Sequence, residues 1–337
     1  MLNPTQASPL VLLVEDDDGD AEIARLALER SAIPHDLARA RDGVEAVDIA
    51  LARGRDKEPG RRAALILLDL RLPRRSGKEV LRMLRDHPET QHTPIVMMSG
   101  SNQPADLAEC YSLRANSYFR KPMDLETFIE NVGLLLFYWL ELNAPCGVES
   151  AARNARRLGS EGVQGAARSA VDFATRRRLR VPAVRAAGLV DLPSPILVLD
   201  RDAETSGRTA EGIAAVTGES PLVARSMEDA AQKLSASSYC KGRLLWTCLR
   251  MVVMDIDHHP VDGPAMLDQI RARVDHRLPV VFFTANDDPS FIDDCSRHGP
   301  NSIVRKPGSL DDYTDTVKLI THYWLRLNET VPYGVVP

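Results

Sequence analysis

Along the first 140 residues, short apolar runs alternate with segments of helical spacing. LVLLV at 10–14 is unbroken apolar, and 19–32 has helical periodicity through Ile23, Ala27 and Leu28. ALILLD at 64–69 and PIVMM at 94–98 are again continuous, as strands buried on both faces must be. Helices are predicted over 76–86 (Val80, Leu81, Leu84), 104–114 and 124–142, with a short strand over 117–120. Strands and helices in alternation predict the α/β class, with a doubly wound parallel sheet. Five strands fit the available length.

The pattern then recurs. TPIVMMSGS (93–101) matches LPVVFFTAN (278–286), NSYFRKPMDL (116–125) matches NSIVRKPGSL (301–310), and FYWLELN (137–143) matches HYWLRLN (322–328). These pairs lie 185 residues apart. LILLDLRLPRRSGKEVL (65–81) and MVVMDIDHHPVDGPAML (251–267) lie 186 apart, a slip that one loop insertion produces. The period is too long for a solenoid unit. It predicts two copies of one domain, 8–143 and 194–328, followed by a tail over 329–337.

Between the copies, 144–193 differs in composition. From 149 to 192 there are nine arginines, no lysine and four acids, a net of +5. The whole chain carries 337 residues and a net charge of −5, so the remainder sums to −10. Val163, Ala166, Ala167, Ala170, Val171 and Ala174 have helical spacing, which predicts a helical Arg/Ala-rich linker with a thin apolar face. The acidic total disfavours a globally electropositive nucleic-acid binder. The run Arg176, Arg177, Arg178 and Arg180 leaves a local grip on phosphates as an alternative to a solvated helix face. Five widely spaced cysteines with no CxxC suggest neither a disulfide framework nor a zinc site and read as packing. With no signal-peptide pattern at the start and no apolar run long enough to span a bilayer, a cytoplasmic location is expected.

In open α/β sheets, ligands bind at the carboxyl ends of the strands. Glu15, Asp16 and Asp17 follow the first apolar run, Asp69 and Ser99 end two others, and Lys121 ends the last. Alone, the acids at 15–18 would simply cap a helix. Converging with Asp69, they repel one another, and a hard divalent cation with all-oxygen ligands, Mg²⁺, relieves that repulsion. A lysine and a hydroxyl beside such a metal suit covalent phosphorylation of one aspartate.

The segments VLLVEDD, LILLDLRLP, MMSG and FRKP, in this order and spacing, resemble the receiver domain of two-component response regulators. The resemblance implies two flavodoxin-like (βα)5 domains. It implies Asp69 as phosphoacceptor and Mg²⁺ held by Glu15, Asp16, Asp69 and the Arg71 backbone carbonyl. Ser99, Tyr118 and Lys121 would bind the phosphoryl group and act as the switch, and Lys121-Pro122 would be cis. The donor would be a sensor histidine kinase, and no enzyme activity is expected beyond self-phosphorylation and dephosphorylation. VEDDDGDAEIARLALE, the long loop before the third strand, KPMDLETFIENV and the closing aromatics resemble more closely the small receivers that serve phytochrome kinases.

In the second copy, Asp200 stands at the Glu15 position, and Arg201, a cation, replaces Asp16. Asp255, Thr284 and Lys306 are retained. Asp257 and His259 replace Arg71 and Pro73, and Ile303 replaces Tyr118. This set predicts a degenerate site, in which Arg201 is expected to pair with Asp255. The bulky Phe137, Tyr138, Trp139, Tyr323 and Trp324 suit either packing within each domain or an interface. The interface reading gives a homodimer or a pseudo-dimer of the two copies. Expected outputs are altered protein–protein contacts or, alternatively, a phosphate sink or relay. A further alternative is a phosphorylation-independent scaffold or nucleic-acid binder acting through the linker.

Overall fold

The computed structural model describes residues 8–31, 33–52, 62–101, 103–144, 195–237, 245–257, 262–274 and 276–330. The expected linker helices at 144–193, with Arg176–Arg178 and Arg180, fall almost wholly outside these residues, as do His258 and His259. The chain divides into two compact units between Glu141 and Leu142.

Unit 1 runs β1 (Leu10–Val14), α1 (Asp18–Arg30), β2 (Asp36–Ala40), α2 (Gly43–Ala50), β3 (Ala63–Asp69), α3 (Gly77–Asp86), β4 (Ile95–Ser99), α4 (Pro104–Ser112), β5 (Ser117–Arg120) and α5 (Leu125–Leu136). Its five strands are all parallel, in the order β2-β1-β3-β4-β5. The order reverses between β1 and β3, which places a ligand crevice at their carboxyl ends. β1 and β4 are buried almost throughout, as their apolar runs require. β2 (DLARA) is an edge strand paired only with β1 and is only partly buried, so its sequence carries no apolar run.

Helix starts follow local chemistry. Asp17 caps α1 by accepting from the Asp20 N–H at 2.8 Å, so the capping role open to the 15–18 acids is real for this residue. Asp42 accepts from the Val44 and Glu45 N–H groups at the start of α2. Ser76 and Glu79 form a reciprocal capping box on α3. The helix expected to run to 142 is α-helical only to Leu136. Phe137–Leu142 then form a π-helical turn. The wider turn lets four consecutive large side chains, Phe137 to Leu140, all lie buried.

Unit 2 repeats the plan: β6 (Ile196–Leu199), α6 (Ala203–Thr217), β7 (Leu222–Ala224), α7 (Met227–Ala236), β8 (Met251–Asp255), α8 (Asp262–Arg271), β9 (Val280–Thr284), α9 (Pro289–Arg297), β10 (Ser302–Arg305) and α10 (Leu310–His322). Its parallel sheet has the order β10-β9-β8-β6-β7, the same topology as unit 1. α6 ends at Gly218, whose φ of +76° is the left-handed conformation that glycine adopts without strain. Val252, Met254, Phe282 and Ile303 belong to its core.

Both sheets are braced alike at the amino end of their fourth and fifth strands. Arg85 donates to the carbonyl oxygens of Arg114 (2.7 Å) and Thr93 (2.9 Å) and to Asn116 Oδ1 (2.5 Å), which also accepts from the Ile95 N–H. In unit 2, Arg271 donates to the Leu278 carbonyl (2.9 Å) and to Asn301 Oδ1 (2.7 Å), which accepts from the Val280 N–H. Each guanidinium satisfies carbonyls that the sheet leaves open.

Three expectations change. Phe137, Tyr138, Trp139, Tyr323 and Trp324 are all buried, with the Tyr138–Trp139 and Tyr323–Trp324 rings packed edge to face. They offer no exposed aromatic surface to a second chain, because their large apolar area is already removed from water. Cys110 and Cys295 are buried free thiols, but Cys248 is disulfide-bonded and so is not simple packing. The Lys121–Pro122 bond is trans, since no cis peptide occurs among the described residues, and trans is the lower-energy isomer even before proline. No helix among the described residues is long and apolar enough to cross a membrane.

Candidate functional site

Parallel pairing in register brings the ends of β1, β3, β4 and β5 to one edge of the unit 1 sheet. Glu15 follows β1, its N–H bonded to the Ala40 carbonyl at 3.0 Å. Asp69 ends β3 and Ser99 ends β4. Lys121 follows β5, and its N–H donates to the Ser99 carbonyl at 2.9 Å. The Lys121 ammonium then reaches Glu15 Oε2 at 2.6 Å, Asp20 Oδ2 at 2.9 Å and Asp69 Oδ1 at 3.2 Å. The second Asp69 oxygen accepts from the Arg71 N–H at 2.6 Å.

Burial sets the electrostatics. Glu15 and Asp69 are 4% and 8% exposed, and burial pushes both carboxyls up despite the opposing pull of Lys121. Burial acts to lower the Lys121 pKa, but its hydrogen bonds to Glu15 and Asp20 and the charge of Asp69 more than offset this and raise it. Asp16 is exposed at the rim, and its charge adds to the upward push on Asp69. The arrangement is a cation shared among acids that are short of counter-charge.

These oxygens fit a hard divalent ion. The donor set of Glu15, Asp16 and Asp69 is all carboxylate, two of its members are held above their ordinary range by desolvation, and the Arg71 carbonyl lies two residues beyond Asp69. No group of three ligating side chains is already gathered in metal-binding geometry among the described residues.

Ser99 is buried at the end of β4, and its hydroxyl oxygen accepts from the Ser101 N–H at 3.1 Å. Tyr118 is fully buried, with its hydroxyl directed to the Ser101 carbonyl at 3.3 Å, and burial pushes the phenol up to about 12. The site residues expected of unit 1 therefore lie on its carboxyl edge, with Tyr118 linked to the loop after Ser99.

Two contributors were not legible in the sequence. Asp20, a third partner of Lys121, is a surface acid in the first turn of α1, and only the fold brings it near. Gly77 packs against the Asp69 backbone so closely that an added Cβ would lie 2.1 Å from the Asp69 carbonyl oxygen. The Ser-Gly pair before an apolar helix signals a helix start and says nothing of that neighbour.

The second edge is wired differently. Lys306 pairs with Asp255 at 2.5 Å and with Asp257 at 2.8 Å. Asp200 is buried, accepts from the Thr205 hydroxyl at 2.5 Å and is pushed up by burial to about 6. Thr205 stands where unit 1 has Asp20. Arg201 is exposed, and Lys306 is a cation paired with Asp255. Asp257, which carries the side chain at the Arg71 position, turns inward to the site.

Comparison with known proteins bears on unit 1. A family model described as the response regulator receiver domain matches residues 11–133. The chain is 33% identical over 141 residues to the response regulator Rcp1 of Synechocystis sp., covering 42% of this chain and 95% of that one. It is 31% identical over 122 residues to the polar-differentiation response regulator DivK of Brucella ovis, covering 36% of this chain and 91% of that one. Among solved structures, the phosphorylated cyanobacterial phytochrome response regulator RcpA is similar, with 34% identity, a TM-score of 0.38, and coverage of 40% of this chain and 95% of that one.

Proposed function

The chain belongs to the response regulator receiver family, and from that premise we propose that Asp69 takes up a phosphoryl group from a phosphohistidine of a sensor histidine kinase. The observation that carries this reading is the Lys121 ammonium set between two buried acids, Glu15 and Asp69, at the carboxyl edge of the sheet.

The chemistry follows from the residues. The Arg71 N–H holds one Asp69 oxygen and orients the carboxylate. The other oxygen, facing Lys121, attacks phosphorus. The new O–P bond forms as the N–P bond to the donor imidazole breaks, and that imidazole leaves with its electron pair and takes up a proton. Lys121 then neutralises charge on the phosphoryl oxygens, and the Ser99 hydroxyl donates to one of them. Mg²⁺, held by Glu15, Asp16, Asp69 and the Arg71 carbonyl, would supply further charge neutralisation at the phosphoryl oxygens. Ser99 and Tyr118 both bond Ser101, in the loop that follows Ser99, so a change in the Ser99 contacts reaches the Tyr118 ring. The resulting shift in surface contacts is the output, a local charge change biasing a two-state element.

A phytochrome-type kinase as donor is supported by the segment VEDDDGDAEIARLALE and by KPMDLETFIENV. Asp255 is a poor acceptor on this reading, because the cation Arg201 stands where unit 1 has Asp16.

The test is incubation of the full chain with acetyl phosphate and Mg²⁺, followed by mass spectrometry of the intact protein and its peptides. Asp69 is expected to carry the label. Substitution Asp69→Asn or chelation of the metal should abolish it. Label persisting in Asp69→Asn and located on Asp255 refutes the assignment. Hydrolysis faster than the kinase can supply phosphate would mark the protein as a phosphate sink.

A further inference from the structure

In unit 2 both oxygens of the Asp257 carboxylate are bonded, to three donors from two places. Oδ1 accepts from the Thr284 hydroxyl at the end of β9. Oδ2 accepts from the Ala285 N–H at 2.8 Å and from the Lys306 ammonium, after β10, at 2.8 Å. The sequence offset makes these donors the counterparts of Ser99, Gly100 and Lys121 in unit 1. A hydroxyl, a backbone N–H and an ammonium converging on one point form an oxyanion-binding site. Lys306 also pairs with Asp255 at 2.5 Å, so the Asp257 carboxylate lies beside the Asp255 side chain.

We propose that unit 2 contains an oxyanion-binding site for a tetrahedral anion of the phosphate class, and that Asp257 is its resident ligand, filling it with a tethered carboxylate. The site is complete and closed by a group that never leaves. Arg71, the residue at this position in unit 1, is exposed and carries the opposite charge, so unit 1 has no such tenant.

The electrostatics agree. Burial acts to raise the Asp257 carboxyl, but the hydrogen bonds from Lys306, Thr284 and Ala285 more than offset this and hold it below its ordinary range. In unit 1, by contrast, Lys121 is drawn to Glu15 and Asp20 as well as to Asp69. Thr205 replaces Asp20 and bonds Asp200 instead, which leaves Lys306 to the two aspartates of the β8 end. The inference needs only the donors of unit 2 and stands whether or not Asp69 is phosphorylated. Its signalling consequence, a unit fixed in one charged state while its neighbour switches, rests on the function proposed above.

The test uses the full chain labelled with ¹⁵N-alanine, titrated with inorganic phosphate, and follows the Ala285 amide. In the wild type this resonance should not move. In Asp257→Ala the vacated donors should bind phosphate, giving a saturable shift of Ala285, and the further change Thr284→Val should abolish that shift. A wild-type Ala285 amide that moves with phosphate, or a folded Asp257→Ala variant that does not respond, overturns the proposal. Because that variant removes a buried anion beside Lys306, a second measurement leaves unit 2 untouched. Acetyl phosphate and Mg²⁺ applied to the Asp69→Asn chain should leave Asp255 unlabelled. Recovery of phosphate on Asp255 also overturns the proposal.

Discussion

Replacing Lys121 by alanine should destabilise unit 1 in a pH-dependent way. The side chain is 16% exposed and bridges Glu15 and Asp69, whose side chains are 5% and 11% exposed. Breaking a buried ion pair costs about 3–5 kcal/mol, because the abandoned charge stays desolvated. The Asp20 contact adds little, since that side chain is 51% exposed. Residual solvent access puts the expected loss at the low end, about 3 kcal/mol at about pH 8. Two buried acids without a cation escape the penalty by binding a proton. Both carboxyls already sit above their ordinary values, and losing Lys121 raises them further. Between the unfolded and folded values the native state holds more protons, so the stability of the variant falls as pH rises through that interval. On acidification the loss should shrink to about 1 kcal/mol near pH 5. Hydrogen exchange of the β1 and β3 amides, in chelator, reports unit 1 separately from unit 2. A loss that is equal at both pH values, or below about 1 kcal/mol at the higher one, would refute the shared-cation reading.

Other expectations follow from single contacts. Gly77→Ala places a Cβ on the Asp69 carbonyl oxygen and the Leu70 Cα, both backbone, so chemical denaturation should show a loss of about 1–3 kcal/mol together with slower phosphate uptake by Asp69. Arg85→Met strips the donors from the Arg114 and Thr93 carbonyls and from Asn116, and should cost about 2–3 kcal/mol in the same assay. The Asp200 carboxyl carbon should titrate near pH 6 by NMR, and Thr205→Val, which removes a hydrogen bond that lowers this pKa, should move the midpoint upward. Because that folded value lies above the unfolded one, Asp200 contributes most to unit 2 stability in acid and progressively less as pH rises through about 6.

The sequence was most readable where burial on both faces forced unbroken apolar runs. β1, β3 and β4 appear within a residue of their predicted bounds, because a parallel strand between helices tolerates no polar interruption. β2 carried no such mark, since an edge strand keeps one flank open and DLARA suffices. α5 stops short of its expected end where Phe137–Leu142 open into a π-helical turn, a change of helix type that an apolar run does not announce. Lys121 was legible through its Arg-Lys-Pro setting, and the structure shows it meeting Glu15 and Asp69. Asp20 and Gly77 were not legible, because their roles depend on neighbours that only the folded chain supplies. In unit 2, substitutions mark the altered site. The inward turn of Asp257 was hidden, because no pattern of spacing reveals which way a loop carboxylate points.

The arginine–asparagine braces of the two sheets share two contacts, one to a carbonyl before the fourth strand and one to the asparagine before the fifth, while the opposite edges differ in charge and partner. Durability is thus lodged at one pole of each sheet and chemistry at the other, with the strands as insulation between them. Such separation makes the reactive pole evolvable: residues there can be exchanged without loosening the scaffold, and a duplicate copy can drift to a new role while remaining folded.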